Sequence, residues 1–254
     1  MLAKLATGNR FRIWQALQRQ KHRRQAGASS SLVIGALDDL SSLLVEFRPE
    51  SSSMTFSGSD LQTWDSVAGS EPLTLTYYGD GGGSPALMLN ALGAGNTGVY
   101  FQGGKMVGNV DVANLGSSYP RWLSLANYTL EEEDWNSADT WVTGCFDAVS
   151  WFFAADRNGS RPVTEAIDVN ENYIFVTRKQ AGIISAWLRP FGGVTITASG
   201  ATDNVGLSVD TFTLGGNMEP QNLWGAIGHV GLWNRALTDT EVVAALNYLG
   251  GIYE

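Results

Sequence analysis

From residue 32 onward the chain is broken into short apolar runs divided by Gly, Asn, Asp and Ser, and this punctuation limits the fold more than any other feature. Each run is long enough to cross a sheet and too short to be the helix of a parallel βαβ unit. The runs predict strands at Leu43–Phe47, Leu73–Tyr78, Gly98–Phe101, Thr140–Phe146, Val149–Ala154, Tyr173–Thr177, Ile183–Leu188, Val194–Ala198, Phe212–Leu214 and Ile227–Trp233. Val194-Thr-Ile-Thr-Ala198 alternates as a strand does when one sheet face is packed and the other is wet. Thirty glycines and a charged fraction of only 16% suit many strands joined by tight turns. The expectation is an all-β sandwich.

A single helix is predicted near the end of the chain. Thr238 can cap it, with Glu241 three residues later completing a capping box. Val242, Leu246 and Leu249 fall on one side, and Gly250-Gly251 is expected to terminate it.

The first residues are of another kind. Residues 1–37 hold seven basic side chains and no acidic one, which leaves nine basic and 25 acidic residues for the remainder. Residues 9–25 can be written as a helix capped by Asn9, with Phe11, Ile13, Trp14 and Leu17 on one side and the arginines on the other. Gln25 to Ser31 is a linker of small residues. The predicted organisation is therefore a basic arm and linker over 1–31 and one sandwich domain over 32–254. A basic arm on an acidic body marks an interaction tail. Its composition also mimics a mitochondrial presequence, although it has no apolar run of the kind a secretory signal needs.

Several function classes are disfavoured. One cysteine, Cys145, and two histidines, His22 and His229, leave too few ligands for a zinc site and too few partners for a Cys/His nucleophile. No run approaches the ~20 apolar residues of a membrane span. The glycine run Gly79–Ser84 lacks the Lys-Ser or Lys-Thr of a phosphate-binding loop and reads as a flexible turn. The acidic body argues against nucleic acid as a partner, although the arm by itself could touch phosphate.

The stretch Phe212-Thr-Leu-Gly-Gly-Asn217, followed by Leu223-Trp-Gly-Ala-Ile-Gly-His-Val-Gly-Leu-Trp-Asn-Arg-Ala-Leu-Thr-Asp-Thr-Glu241, resembles the closing signature of the laminin G-like branch of the concanavalin A superfamily. There a Leu-Gly-Gly turn leads to a "G-x-I-G-x-V" strand, and "N-R-A-L-[ST]-x-x-E" opens a small helix. Leu61–Asp65 is similar to that family's early "v-x-x-W-x-D" segment, and Gly98–Gly104 to its "G-V-x-F-x-G" strand and turn. One departure is Pro190-Phe191-Gly192-Gly193, where the family turns through Asn-Gly or Asp-Gly, so that hairpin tip is expected to be rebuilt. The resemblance implies a concanavalin A-like jelly-roll β-sandwich, so the expected fold is that sandwich with the basic N-terminal helical arm and one short C-terminal helix. The arm-and-linker arrangement also looks like that of virion proteins of tailed bacteriophages, in tail fibres and head decorations.

Three functions follow as alternatives. The first is a non-enzymatic structural protein of a phage virion, located in the particle and anchored by Arg10, Phe11, Arg12, Trp14, Leu17, Arg19, Arg23 and Arg24 to other virion subunits. A homo-oligomer, with a trimer favoured, is the expected assembly. The second is a carbohydrate-binding module that meets a host-surface glycan, with Trp122, Trp135 and Trp141 as candidates because they lie near polar loops. By contrast, Trp64, Trp187, Trp224 and Trp233 sit in strand patterns and are expected to pack. The third is a glycan hydrolase of the same fold. Its retaining members carry a spaced "E-x-D-x-x-E" strand, but Glu132-Glu133-Asp134-Trp135-Asn136-Ser137 has serine at the last position, so no catalytic residue is assigned. No cofactor is expected. Calcium is left open because Glu131–Asp134 offers hard oxygen ligands, but no ligand set can be named.

Overall fold

The structure, a computed structural model, describes residues 32–79, 83–93, 95–112, 119–126, 141–146, 151–156, 163–166, 172–180, 183–201, 209–215, 224–233 and 235–254. The arm lies outside the described residues, as does the expected helix over 9–25. What is described is an all-β sandwich of antiparallel sheets with one C-terminal α-helix.

The smaller of the two main sheets takes its strands in the order β15 (Val209–Leu214), β7 (Lys105–Val112), β4 (Thr74–Tyr78), β3 (Asp60–Asp65) and β2 (Met54–Ser57). The larger runs β14 (Ile196–Ala201), β13 (Ile183–Pro190), β12 (Asn172–Gln180), β8 (Tyr119–Ala126), β16 (Trp224–Ile227), β6 (Gly98–Gln102) and β5 (Gly83–Met88). It forks beside β8. There β16 pairs with residues 125 and 126, while β17 (Val230–Trp233) pairs with residue 121 and carries β1 (Leu43–Phe47) on its other edge. A third sheet of β9 (Trp141–Phe146), β10 (Trp151–Asp156) and β11 (Val163–Ala166) completes the strands.

The interior between the two main sheets follows from strand alternation. In the small sheet Trp64 and Leu75 are paired and both fully buried, while their neighbours Thr63 and Thr76 pair on the opposite face. From the large sheet Phe47 meets Trp64 edge to face at 5.5 Å, and the Trp64 indole N–H donates to the carbonyl of Arg48 at 2.8 Å. Gly215, in the Leu-Gly-Gly turn, has φ +84°, and a methyl there would fall inside the Phe101 ring. Only glycine permits that crossing.

The outer face of the large sheet is also covered. Ile174, Val176 and Trp187 join Leu37, Leu40 and Trp233 in a second core, closed by α1 (Asp239–Tyr253) through Val242, Ala245, Leu246, Leu249 and Tyr253. Burying each leucine side chain contributes about 1.5–3 kcal/mol, which is enough to hold a 15-residue helix in place. The helix continues through Gly250-Gly251 to Tyr253, beyond the end read from the sequence. The glycines do not stop it because the chain past Leu249 is held by tertiary contacts.

Other boundaries differ as well. The strand expected at Val194 begins at Ile196, and Val194 is 74% exposed. The continuous strand expected over 227–233 is split at Gly228-His229, where the sheet forks. The β13–β14 hairpin turns through Pro190–Gly193, with Gly192 at φ +65° and the Gly193 N–H donating to the Pro190 carbonyl at 2.8 Å.

Candidate functional site

The described ionisable side chains of the large sheet and helix are mostly paired within the scaffold. Arg235 grips Glu241 with two bonds of 2.6 and 2.8 Å, and Glu241 also accepts from the Thr238 N–H at 2.8 Å. The Thr238 hydroxyl in turn accepts from the Glu241 N–H at 3.3 Å. The Arg235 guanidinium holds the Glu241 carboxyl down to about 2. The Asn-Arg-Ala-Leu-Thr-x-x-Glu pattern is thus a helix-start lock: Arg235 neutralises the same carboxylate that closes the capping box.

Two further arginines tie the helix to the sheet. Arg178 donates to the Leu237 carbonyl at 2.7 Å, pairs with Asp239 at 2.8 Å and lies over the Trp187 ring at 4.7 Å. Arg189 donates to the Leu246 carbonyl at 2.5 Å, to Asn247 Oδ1 at 3.0 Å and to Glu254 at 3.0 Å.

At the fork lies a buried polar cluster. Glu46, with no exposed surface, is held by Arg48 Nε at 2.8 Å and Nη2 at 3.2 Å. His229 lies on the other side, its Nε2 4.0 Å from Glu46 and its Nδ1 2.7 Å from the Tyr253 hydroxyl, which also accepts from the His229 backbone N–H at 2.9 Å. Burial, helped by the Arg48 charge, lowers the His229 imidazole to about 4, so it is neutral near pH 7 despite the nearby carboxylate. At 4.0 Å the two do not hydrogen-bond. Glu46 and His229 are buried while Arg48 reaches partly to solvent, and the cluster joins β1 and α1 to the turn that leads into β17, which is a structural role.

The outward face of the small sheet differs in character. Backbone register places Thr55, Thr63 and Thr76 in one row across β2, β3 and β4, and Asp65 and Thr74 in the next. Thr55 and Thr63 hydroxyls are 2.7 Å apart, and Thr74 donates to Asp65 at 2.6 Å. Tyr78 continues the outward positions of β4 and is 52% exposed, with the Lys105 ammonium 5.1 Å from its ring centroid.

Of the tryptophans selected from sequence, the backbone of Trp122 lies in β8 opposite Val176, and that of Trp141 in β9 opposite Asp156. Trp135 and all eight arm positions lie outside the described residues, as does the acidic run 131–134. The grouping of the three tryptophans thus lies outside the described residues. Trp64, Trp187 and Trp233 are buried, as expected of packing residues. Among the described residues, no group of three or more His, Cys, Asp or Glu side chains is placed to hold a metal ion, and no helix is long and apolar enough to cross a membrane. The threonine rows and Tyr78 were not selected from the sequence. The signal for them was the alternation Thr74-Leu-Thr-Tyr-Tyr78, read together with a span, 54–78, that contains no lysine or arginine.

Comparison with known proteins finds similarity of fold to several solved structures. No family model matches the chain, and no curated protein matches it in sequence. Among solved structures, a Trypanosoma rangeli sialidase superposes with a TM-score of 0.54 at 14% identity, over 94% of this chain and 39% of the sialidase. The binding domain of botulinum neurotoxin DC, solved with rat synaptotagmin II, gives a TM-score of 0.50 at 15% identity, over 84% of this chain and 52% of the other. Domain 4 of a Geobacillus stearothermophilus GH43 arabinanase, solved with arabinotriose, gives 0.49 at 14% identity over 81% of this chain and 98% of that domain, too distant to carry weight. The chain spans about two-fifths of the sialidase, and identities this low establish the fold alone.

Proposed function

We propose that the chain is a non-catalytic display module whose lectin-like sandwich faces a glycan surface, and that its basic arm anchors it in a phage particle. The observation that carries the non-catalytic part is the use of carboxylates. Glu46, Asp239, Glu241 and Glu254 are each engaged by an arginine that builds the scaffold. A glycosidase needs two carboxyl groups facing one cleft about 5–9.5 Å apart, and one of them must stay free to give up a proton. The glycan part is supported by the fold and by an exposed sheet face rich in hydroxyl groups.

The anchoring part rests on charge. Seven basic side chains without an acidic neighbour precede a body that carries 25 acidic residues, so the arm of one copy is complementary to the body of another. A symmetric homo-oligomer, a trimer by preference, satisfies that complementarity with a single kind of contact. Removing residues 1–31 and expressing the remainder during infection tests the proposal. The expected result is a folded sandwich absent from purified particles that carry the full chain in stoichiometric copy number. Full-length chain missing from particles would overturn the virion assignment, and an unfolded truncation would make the arm part of the domain.

A further inference from the structure

We propose that the outward face of the five-stranded sheet, formed by Thr55, Thr63, Asp65, Thr74, Thr76 and Tyr78, is a binding surface for an uncharged glycan. This rests on the display-module reading above and names the surface through which it would act.

Threonine on a wet sheet face has an ordinary explanation, since its branched side chain suits a strand and Thr–Thr pairs stabilise neighbouring strands. Two features go beyond that explanation. Exposed sheet faces and edges usually carry lysine and other charges that discourage association, yet residues 54–78 hold no basic side chain, and β2 is an edge strand. Beside the threonines, a large aromatic ring is 52% exposed rather than folded into the core. The ring lies against the buried Lys105 ammonium yet leaves half its surface to solvent, and a sugar ring presents both an apolar face that stacks on an aromatic and hydroxyls that bond at its rim.

The geometry matches that pair of demands. Strands lie about 4.8 Å apart, so Thr55, Thr63 and Thr76 set three hydroxyl positions in a line across the sheet. Thr63 is held by Thr55, and Thr74 by Asp65, so their orientations are set before a ligand arrives. Each hydroxyl has three hydrogen-bonding sites and spends one on its neighbour, which leaves capacity for a ligand. Asp65 has acceptor sites left beyond Thr74 and can take up sugar O–H donors.

Charge selects among sugars. Asp65 is exposed within the face, the Lys105 ammonium beside Tyr78 is fully buried, and the body as a whole has nine basic against 25 acidic residues, so sialic or uronic acids are disfavoured there. The ligand class is therefore a neutral hexose or pentose chain. A second copy of the sheet face is the competing occupant, and size-exclusion chromatography separates the two.

The test titrates the full chain with a neutral β-glucan oligomer, a neutral arabinan oligomer and sialyl-lactose. At least one neutral oligomer should bind saturably, and sialyl-lactose should not. Tyr78→Ala should weaken binding about tenfold and Tyr78→Phe should keep it. Thr76→Val, which preserves the β-branch, should weaken binding about two- to tenfold with an unchanged melting temperature. Should Tyr78→Ala perturb folding through Lys105, Thr76→Val alone decides. Neutral-glycan binding that survives both substitutions and is lost on changing Trp122, Trp135 or Trp141 would overturn this face and leave the display-module reading standing. Binding of sialyl-lactose alone would do the same. No binding of any glycan would overturn both, and dimerisation abolished by Thr76→Val would assign the face to a second copy.

Discussion

Substituting Gly250 and Gly251 by alanine, one at a time, should move stability in opposite directions although the two are neighbours in one helix. Alanine in a helix is favoured over glycine by about 0.5–1 kcal/mol, because glycine loses more backbone freedom on folding. A methyl at Gly251 meets nothing within 4 Å, so Gly251→Ala should gain that amount. A methyl at Gly250 would coincide with Nη2 of Arg189. That guanidinium bonds the Leu246 carbonyl, Asn247 and Glu254, and it must move away to admit the methyl. Charge-assisted bonds of this kind are worth about 1.5–3 kcal/mol, and the partly exposed pair with Glu254 contributes less than about 1 of that. Set against the propensity gain, Gly250→Ala should cost about 1–2 kcal/mol. Each kcal/mol moves the melting temperature of a chain this size by about 2–4 °C. Urea and thermal unfolding of both variants, repeated in an Arg189→Ala background, complete a double-mutant cycle. In that background Gly250→Ala should become stabilising. Stabilisation by Gly250→Ala in the native background, or a coupling with Arg189 below about 0.5 kcal/mol, would refute the helix-end clamp.

Leu246→Ala removes a buried side chain from the core beneath the helix and should cost about 2–5 kcal/mol by urea unfolding, and an unchanged midpoint would show that the helix is not docked. Acid should destabilise the fold in two overlapping windows. His229, lowered to about 4, gives stability that is complete above about 6.5 and lost as pH falls through 4, because the unfolded chain takes up the proton first. Glu241, lowered to about 2, gives stability that is complete above its ordinary carboxylate value and lost as pH falls towards 2. Replacing His229 by glutamine should therefore flatten the stability curve between pH 6.5 and 4 and leave the lower limb in place, as followed by tryptophan fluorescence; an unaltered slope would remove His229 from the account.

The parts of this fold legible in the sequence are those whose physics is local. Thr238 and Glu241 are three residues apart, so their capping box can be read directly, and Arg235 lies close enough to complete it. Buried Trp64, Trp187 and Trp233 announced themselves by strand patterns. The helix end was misread because Gly250 is kept by Arg189, 61 positions earlier, and no local rule for glycine contains that contact. The fork at Gly228-His229 was missed for the same reason, since β8 offers its edge to two strands in succession only after the sheet forms. Among candidate site residues, the sequence offers only polar neighbours as a guide to exposure, and that signal cannot tell which sheet face a tryptophan takes before the strands are paired. The threonine rows join residues 55, 63 and 76, whose unequal spacing has no period to detect before the strands are paired.

The central proposal is glycan binding without turnover on this β-sandwich. It is tested most directly by titrating the full chain with a neutral oligosaccharide in a calorimeter and then separating the recovered sugar by length. Saturable heat with the oligosaccharide recovered intact is the expected result. Saturable heat followed by shortened products would contradict the claim and return the chain to the hydrolases of this fold.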